Sequence, residues 1–244
     1  MTDNVIIIPT RLDAKRLPNK PLKKINNKEM ILHVYEAAKK ANVGEVIVAS
    51  PNKEIYDLIS SKGGICVRTK DTHNTGTDRI FEVFDKVLKK EPQTIINLQG
   101  DMPNIEPDSI KMLCNYMQKK LCDIATLASE FKDKPSIENI NNVKVLTKEA
   151  LSKNQFNDAI DFFRNNDNTK KRYIYHHIGI YAFTKEALLR YVSLERTKKE
   201  LDRNLEQIRA LDNNMKIHVG YTPTSPLSID TEEDLKSIQD LMKI

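Results

Sequence analysis

Short runs rich in branched aliphatic residues alternate with helix-patterned segments throughout the first half of the chain. The runs lie at 5–8, 45–49, 65–68 and 94–98, and the helical patterns that follow them lie at 30–41, 52–62, 78–90 and 106–120. Largely apolar strands separated by helices of about ten or more residues are typical of βαβ units, whose parallel sheet is covered by helices on both faces. The alternation therefore predicts an α/β fold.

The pattern changes after Asp123, where the spacing predicts a mixed sheet. Strands are expected near 123–128, 143–147, 174–183 and 215–219, helices near 184–193 and 200–212, and a capped helix at 231–244. A polar, Asn-rich stretch at 152–172 has weaker periodicity. We expect a single domain over residues 1–244, with a mostly parallel mixed central sheet and an excursion over about residues 129–200.

Composition narrows the class of protein. The chain has 244 residues, 39% of them hydrophobic and 30% charged, which is enough to bury a core. The opening apolar run is too short for a signal peptide, and no segment approaches the roughly 18 apolar residues of a membrane span, so we expect a cytoplasmic protein. Cys66, Cys114 and Cys122 form no CxxC pair, and their odd number favours reduced thiols over a disulfide framework.

The net charge of +5 is compatible with an anionic ligand, but no membrane or nucleic-acid partner is expected. With no tryptophan and 6% aromatic residues, the chain lacks a stacking platform for nucleic acid. The positive charge concentrates in the turn after the first strand, where VIIIPTRLDAKRLPNKPL (5–22) carries Arg11, Lys15, Arg16 and Lys20. Ligands of open α/β sheets bind beyond the carboxyl ends of the strands, so this turn is the first candidate for a site.

Side chains would have to hold phosphate in this turn, because the chain contains neither G-x-G-x-x-G nor G-x-x-x-x-G-K-[ST]. Arg11 and Arg16 can bind phosphate oxygens with their planar forks, and Lys20 can act as a mobile charge. The three prolines of the turn would hold these charges in place before a ligand binds. The alternative is a solvated turn whose charges serve solubility alone.

Six segments, in this order, resemble the 3-deoxy-manno-octulosonate (Kdo) cytidylyltransferases, the CMP-Kdo synthetase family. They are IPTRLDAKRLPNKPL (8–22), NTGTDRIFEV (74–83), INLQGDMPNIEP (96–107), HIGIYAF (177–183), LDRNLEQIRAL (201–211) and SIDTEEDL (228–235). The resemblance implies a Rossmann-like nucleotidyltransferase fold and the reaction of CTP with Kdo to give CMP-Kdo and pyrophosphate, for lipopolysaccharide core biosynthesis. It also implies a Mg²⁺ cofactor and a homodimer formed largely by the excursion.

The resemblance implies a nucleotide site and a metal site. Asp101 and Asp230 match metal ligands, and two carboxylates suffice for Mg²⁺ because it keeps waters and binds phosphate oxygens. The alternatives are a turn aspartate for Asp101, a simple N-cap for Asp230 and a helix surface residue for Arg79. The implied nucleotide-binding residues are Pro9, Arg11, Arg16, Lys20, Gly76, Thr77, Arg79 and Asp101. The implied catalytic residues are Lys20, Arg11, Asp101 and Asp230.

On the sugar side the resemblance implies Gln99, His177, Tyr181, Glu206 and Gln207. Without the family, His177 and Tyr181, four residues apart on one strand, would favour a core or interface role, and the last two a solvated helix face. The implied mechanism is in-line attack of the anomeric hydroxyl on the α-phosphorus of CTP. Mg²⁺ would lower the pKa of that hydroxyl, so no protein general base is expected.

One segment departs from the family pattern. The family carries F-S-R-x-x-I-P after an N-x-V-K-V strand, whereas NNVKVLT is followed here by FNDAIDFF (156–163), with Asn157 and Asp158 interpreted as replacing Ser and Arg. Arg164 or Lys153 could replace the arginine, or the loop could be rebuilt. Alternatively, the sugar could be a variant such as 8-amino-Kdo, whose ammonium would suit Asp158.

Asn19 replaces a glycine of the family's L-P-G-K-P pattern, and asparagine tolerates the left-handed conformation better than most residues. We therefore expect the turn to keep its shape. Outside enzymes, the alternative is a catalytically silent nucleotide-binding homologue, which CTP binding without turnover would reveal.

Overall fold

The structure, a computed structural model, forms two compact units. The first comprises Met1–Met112 and Pro226–Ile244, and the second comprises Leu113–Ser225. The described residues are 4–14, 16–88, 92–164 and 172–243, so Lys15 and residues 165–171 of the polar stretch lie outside them. The single-domain organisation and the excursion stay predictions.

The α/β class is confirmed, and the elements of the first half begin and end within three residues of their predicted bounds. In chain order the elements are β1 (Asn4–Pro9), a 3-10 turn (Lys20–Leu22), β2 (Lys24–Ile25), β3 (Lys28–Glu29), α1 (Met30–Ala41), β4 (Glu45–Ser50), α2 (Lys53–Ser61), β5 (Ile65–Arg68), α3 (Gly76–Val87), β6 (Thr94–Leu98), α4 (Pro107–Met117), β7 (Ile124–Ser129), α5 (Lys134–Glu138), β8 (Lys144–Thr147), β9 (Phe156–Phe163), β10 (Ile174–Thr184), α6 (Lys185–Ser193), α7 (Lys198–Arg203), α8 (Ile208–Asp212), β11 (Ile217–Tyr221) and α9 (Glu232–Leu241). No helix of the described residues combines the length and the apolar character needed to cross a membrane.

The first unit contains a parallel sheet in the order β5-β4-β1-β6. Every residue of β1 is buried, as expected for a strand that is covered on both faces. In register, Val5 of β1 lies opposite Glu45 of β4 and Ile95 of β6. Because β1 and β6 are parallel neighbours, the turn after β1 and the loop after β6 leave the sheet at the same edge.

The second unit contains a mixed sheet in the order β10-β7-β11-β9-β8. Only β7 and β11 pair in parallel, and the start of β10 also pairs with β8, so the five strands close on themselves. Closure gives β8 a partner along both edges, which removes an exposed strand edge. The fully buried side chains of this unit include Phe162, Phe163 and Lys144.

Three features differ from the sequence-based expectation. The weakly periodic stretch contains β9, whose half-exposed positions obscure the alternation. The helix expected at 200–212 is two helices, because Asn204 ends α7 in the left-handed conformation with φ 51°. The tight turn between β2 and β3 uses two left-handed residues, Asn26 and Asn27, which suit a two-residue hairpin. Asn19 is also left-handed, with φ 56°, as its substitution for glycine predicted.

Candidate active site

A cavity of about 290 Å³ lies in the first unit, at the edge where β1 and β6 end. Its walls are the turn after β1, the segment at 73–76 that leads into α3, and the loop after β6. The predicted site residues that line it are Pro9, Arg11, Lys20, Gly76, Arg79, Gln99 and Asp101. The basic turn therefore forms one wall of a cavity, which argues against charges that serve solubility alone.

Arg79 is part of the cavity wall and not a helix surface residue. Its side chain is buried, and its guanidinium donates hydrogen bonds to Thr69 Oγ1 at 2.6 Å and to the carbonyl of Lys70 at 2.8 Å. Burial lowers the pKa of Arg79, and the nearby positive charge of Arg11 lowers it further. Two guanidinium groups that repel each other at one cavity favour an anion there.

The start of α3 closes another side of the cavity. Thr75 caps this helix with a reciprocal pair of hydrogen bonds to Asp78. A Cβ atom on Gly76 would lie 3.3 Å from the Gln99 amide, so glycine keeps this wall open. Thr77 is buried, and its hydroxyl accepts a hydrogen bond from Asn97 at 3.2 Å, so its side chain supports the wall from behind.

Lys20, at the start of the 3-10 turn, joins the two predicted metal ligands. Its Nζ lies 2.8 Å from Asp101 Oδ2 and 3.2 Å from Asp230 Oδ1. Helix α9 is capped by Thr231, whose hydroxyl accepts from the amide of Asp234, so the N-cap alternative for Asp230 is wrong. The carboxylate of Asp230 instead faces the basic turn.

The charges in this cluster balance. Burial alone lowers the pKa of Lys20, but Asp101 and Asp230 raise it more, so the net shift is upward and the ammonium stays charged. Arg16 contributes a second cation, with Nη2 at 2.8 Å from Asp230 Oδ2. Among the described residues no three His, Cys, Asp or Glu side chains are arranged to hold a metal, so any ion here would use the aspartate pair with other oxygens.

Sequence analysis missed His73, which lines the same cavity and contacts Glu82 of α3. Burial alone would raise the pKa of Glu82, but hydrogen bonds from His73, the amide of Lys70 and Lys86 lower it to about 2. The ionised carboxylate therefore orients the imidazole through Nε2. In the sequence, His73 is marked only by its position just before a capped helix. Its separation of nine residues from Glu82 matches no simple motif that would predict their contact.

The second unit brings together three of the five predicted sugar residues. The rings of His177 and Tyr181 are 5.5 Å apart, on the same face of β10 as predicted. Burial raises the pKa of Tyr181, and the nearby carboxylate of Glu206 raises it further. Gln207 is buried at the N-terminus of α8, and Gln99 lies in the first unit on the cavity wall, so their part in a sugar site stays a prediction.

The pairing of β10 with β7 is irregular between Ile178 and Tyr181. Hydrogen bonds at this irregularity fix the imidazole of His177. Thr126 Oγ1 lies 2.7 Å from the carbonyl of Ile180 and 3.0 Å from His177 Nε2. Because the single hydroxyl proton goes to the carbonyl, His177 must donate from Nε2. Burial lowers the pKa of His177 to about 3, and the proximity of His176 and Arg164 contributes to this shift. His177 is therefore a neutral residue with its Nδ1 as an acceptor.

The structure favours Arg164 over Asp158 as the residue that replaces the family's arginine. Asp158 pairs with His218 of β11, with an oxygen 2.9 Å from Nε2. The ring centroids of Phe162 and His177 lie 5.0 Å apart. Phe162 is four residues beyond Asp158 on β9, which is about 13 Å at the usual rise per residue. Arg164 follows two residues later and acts electrostatically on both His177 and Tyr181. Phe162-Phe163-Arg164 therefore has the spacing of F-S-R.

Comparison with known proteins agrees with the motif order. The family model for cytidylyltransferases matches residues 5–217. The 3-deoxy-manno-octulosonate cytidylyltransferase of Bartonella quintana is 38% identical over 242 residues, covering 98% of both chains. The enzyme of the same name from Brucella canis is 38% identical over 230 residues, covering 94% of this chain and 91% of its own.

Solved structures agree as well. CMP:2-keto-3-deoxy-manno-octonic acid synthetase in complex with CTP superposes with a TM-score of 0.86 at 33% identity, covering 98% of each chain. UDP-glucose pyrophosphorylase superposes with a TM-score of 0.74 at 15% identity over 99% of this chain, which supports the nucleotidyltransferase fold alone. With a family model that spans most of the chain and relatives of this similarity, the chain belongs to the cytidylyltransferase family of nucleotidyltransferase enzymes.

Proposed function

We propose that the protein transfers the cytidylyl group of CTP to Kdo, giving CMP-Kdo and pyrophosphate. The observation that carries the proposal is the cavity of the first unit, which is lined by Arg11, Arg79, Lys20 and Asp101, with Lys20 bound to both Asp101 and Asp230. The names of the similar proteins supply the acceptor, and the CTP in the related synthetase supplies the donor. In this reaction a bond forms between the anomeric oxygen and the α-phosphorus. The bond to pyrophosphate breaks, and the hydroxyl proton leaves to solvent.

The cations of the cavity bind the triphosphate. Arg11 is half-exposed and pairs weakly with Asp13 at 3.3 Å, so its fork can turn to phosphate oxygens. Arg79 is held from behind by Thr69 and therefore presents its charge from a fixed position. These charges offset the negative charge that develops on the departing pyrophosphate.

The donor set fits a divalent cation, which we propose to be Mg²⁺. Asp101, Asp230 and the carbonyl of Ile229 direct oxygen atoms at one point, which the Lys20 ammonium occupies as a stand-in cation. Oxygen ligands of this kind suit Mg²⁺. When bound, the metal would supply charge neutralisation for the phosphates and a lower pKa for the attacking hydroxyl.

The second unit supplies groups suited to an acidic sugar. Neutral His177 offers an acceptor at Nδ1, Tyr181 keeps its phenol proton, and Arg164 brings a positive charge to the same cluster. Donors and acceptors of this kind discriminate among polyhydroxylated substrates, because a wrong sugar leaves buried polar groups unpaired. The case for an amino sugar depended on Asp158, which is engaged with His218, so unmodified Kdo is the favoured acceptor.

The wider context is part of the proposal. A cytoplasmic homodimer that supplies CMP-Kdo for the lipopolysaccharide core is the arrangement that the family resemblance favours. Sedimentation of the purified protein across a concentration series would test the dimer.

The deciding experiment measures pyrophosphate release with CTP and Mg²⁺ in the presence of Kdo, 8-amino-Kdo, N-acetylneuraminate or no sugar. We expect release with Kdo, loss of at least about 100-fold in Asp101→Asn, and unchanged release in Asp108→Asn. Asp108 is the matched control, since it is an exposed aspartate of α4 whose ion pair in the described structure is with Lys111. CTP binding without release for any sugar would favour the silent homologue instead.

A further inference from the structure

The ammonium of Lys20 is enclosed by oxygen atoms in the described structure. Its Nζ lies 2.8 Å from Asp101 Oδ2, 2.7 Å from the carbonyl oxygen of Ile229 and 3.2 Å from Asp230 Oδ1. A lysine ammonium has three donors, so these three contacts use all of them. The side chain is only 14% exposed, which leaves it little contact with water.

These three oxygens are also a ligand set for a divalent cation. Two carboxylates and a backbone carbonyl that converge on one nitrogen would converge equally on a metal ion. Mg²⁺ binds oxygen at about 2.0–2.1 Å, closer than an ammonium does, so a metal ion and the ammonium cannot share the position. Either cation excludes the other.

Lys20 also cannot leave this position without a replacement. Its departure would leave two carboxylates facing each other across a partly enclosed space, which is unfavourable. Arg16 neutralises Asp230 through Oδ2 at 2.8 Å, and one guanidinium supplies a single positive charge for two carboxylates. A second cation must therefore arrive as Lys20 leaves.

We propose that Lys20 is the resident cation of the aspartate pair in the nucleotide-free protein and exchanges places with the divalent metal when nucleotide binds. This inference rests on the proposed function, because it assigns Lys20 and Arg16 to the triphosphate once the metal holds Asp101 and Asp230. The nucleotide-free protein then resists metal, because metal must displace Lys20. The triphosphate assists metal binding by giving the released ammonium a new partner, so each ligand strengthens the binding of the other.

The test measures Mn²⁺ affinity of the nucleotide-free protein, using the electron paramagnetic resonance signal of free Mn²⁺. We expect Lys20→Met to bind Mn²⁺ about tenfold more tightly than the wild type. Lys23→Met is the matched control, because Lys23 ends the same 3-10 turn but pairs with exposed Glu232 at 2.8 Å, and it should bind Mn²⁺ like the wild type. Lys20→Gln serves the same purpose should the Met variant fail to fold.

With CTP present, the wild type should gain Mn²⁺ affinity over the nucleotide-free state, after allowance for Mn²⁺ bound by CTP alone, and Lys20→Met should gain much less. Equal or weaker nucleotide-free Mn²⁺ binding by the Lys20 variants would overturn the exchange, even if the wild type releases pyrophosphate from CTP and Kdo. Conversely, tighter Mn²⁺ binding by these variants in a protein that releases no pyrophosphate would support the exchange and contradict the proposed function.

Discussion

Acid should destabilise the second unit through two adjacent histidines, the buried His177 and the partly buried His176, which are neutral in the native protein. Burial is the main cause that lowers the pKa of His177 to about 3 and that of His176 to about 4. Both lie far below the value of about 6.5 expected in the unfolded chain. Because the unfolded state binds these protons and the native state does not, the stabilisation is complete above about pH 6.5. It is lost as the pH falls toward the two native pKa values.

The magnitude follows from the proton balance. Between pH 7 and pH 5 each histidine takes up about 0.7 of a proton in the unfolded state and almost none in the native state. That difference lowers the free energy of unfolding by about 2 kcal/mol for each residue, or about 4 kcal/mol for the pair. A loss of this size is a large fraction of the 5–15 kcal/mol that is typical of a native protein.

Urea denaturation at pH 7 and pH 5 measures this loss, and His177→Gln isolates one half of it. Glutamine can keep a donor to Thr126 where Nε2 lies, but it does not titrate. We expect the stability difference between pH 7 and pH 5 to be about 2 kcal/mol smaller in the variant. Carboxylates elsewhere titrate alike in both proteins and cancel. An unchanged difference would refute the reasoning, as would an imidazole of His177 that protonates near pH 6 in a ¹⁵N NMR titration of the native protein.

Three further substitutions test single contacts. Arg79→Lys keeps the charge but cannot make both hydrogen bonds to Thr69 and Lys70. We therefore expect KM for CTP to rise about tenfold and the melting temperature to fall. An unchanged KM would exclude Arg79 from the nucleotide site. Thr126→Val removes the hydroxyl shared by His177 and two carbonyls of β10, which should cost about 1–3 kcal/mol in urea unfolding. A loss below about 0.5 kcal/mol would contradict a stabilising role for these hydrogen bonds. Gly44→Ala would place a Cβ atom 2.1 Å from the carbonyl oxygen of Asn4, so we expect about 1–3 kcal/mol of destabilisation by calorimetry, and a neutral result would mean that β1 shifts freely.

Local sequence patterns were sufficient to predict features that depend on a single helix, strand or turn. The apolar runs and helical periods predicted the first-unit strands and helices because each buries a face that the pattern displays, as α1 does over Met30–Ala41. Asn19 kept a left-handed turn because that preference belongs to the residue itself. Position in the chain likewise predicted that the turn after β1 would face a cavity, since parallel strands end at one edge of a sheet.

Contacts between residues far apart in the sequence could not be predicted from such local patterns. Lys20 meets Asp101 across 81 residues and Asp230 across 210, and family motifs could align all three without revealing that they form one charge cluster. The contact between His73 and Glu82 likewise depends on how a loop folds back on α3.

The pairing of β9 with its neighbouring strands places Asp158 and Arg164 differently, and this bears on the proposed substrate. Strand pairing sets which residue reaches His177, and the register of β9 with β8 shifts between Leu146 and Thr147. Matching residue types along the chain does not reveal strand pairing, so it could not show that Asp158 pairs with His218 whereas Arg164 acts on His177. A charge reversal beside an acidic sugar would oppose binding, whereas Arg164 keeps the positive charge that a carboxylate requires. The position of Arg164 near His177 and Tyr181 therefore supports the proposal of an ordinary acceptor over an amino-bearing one.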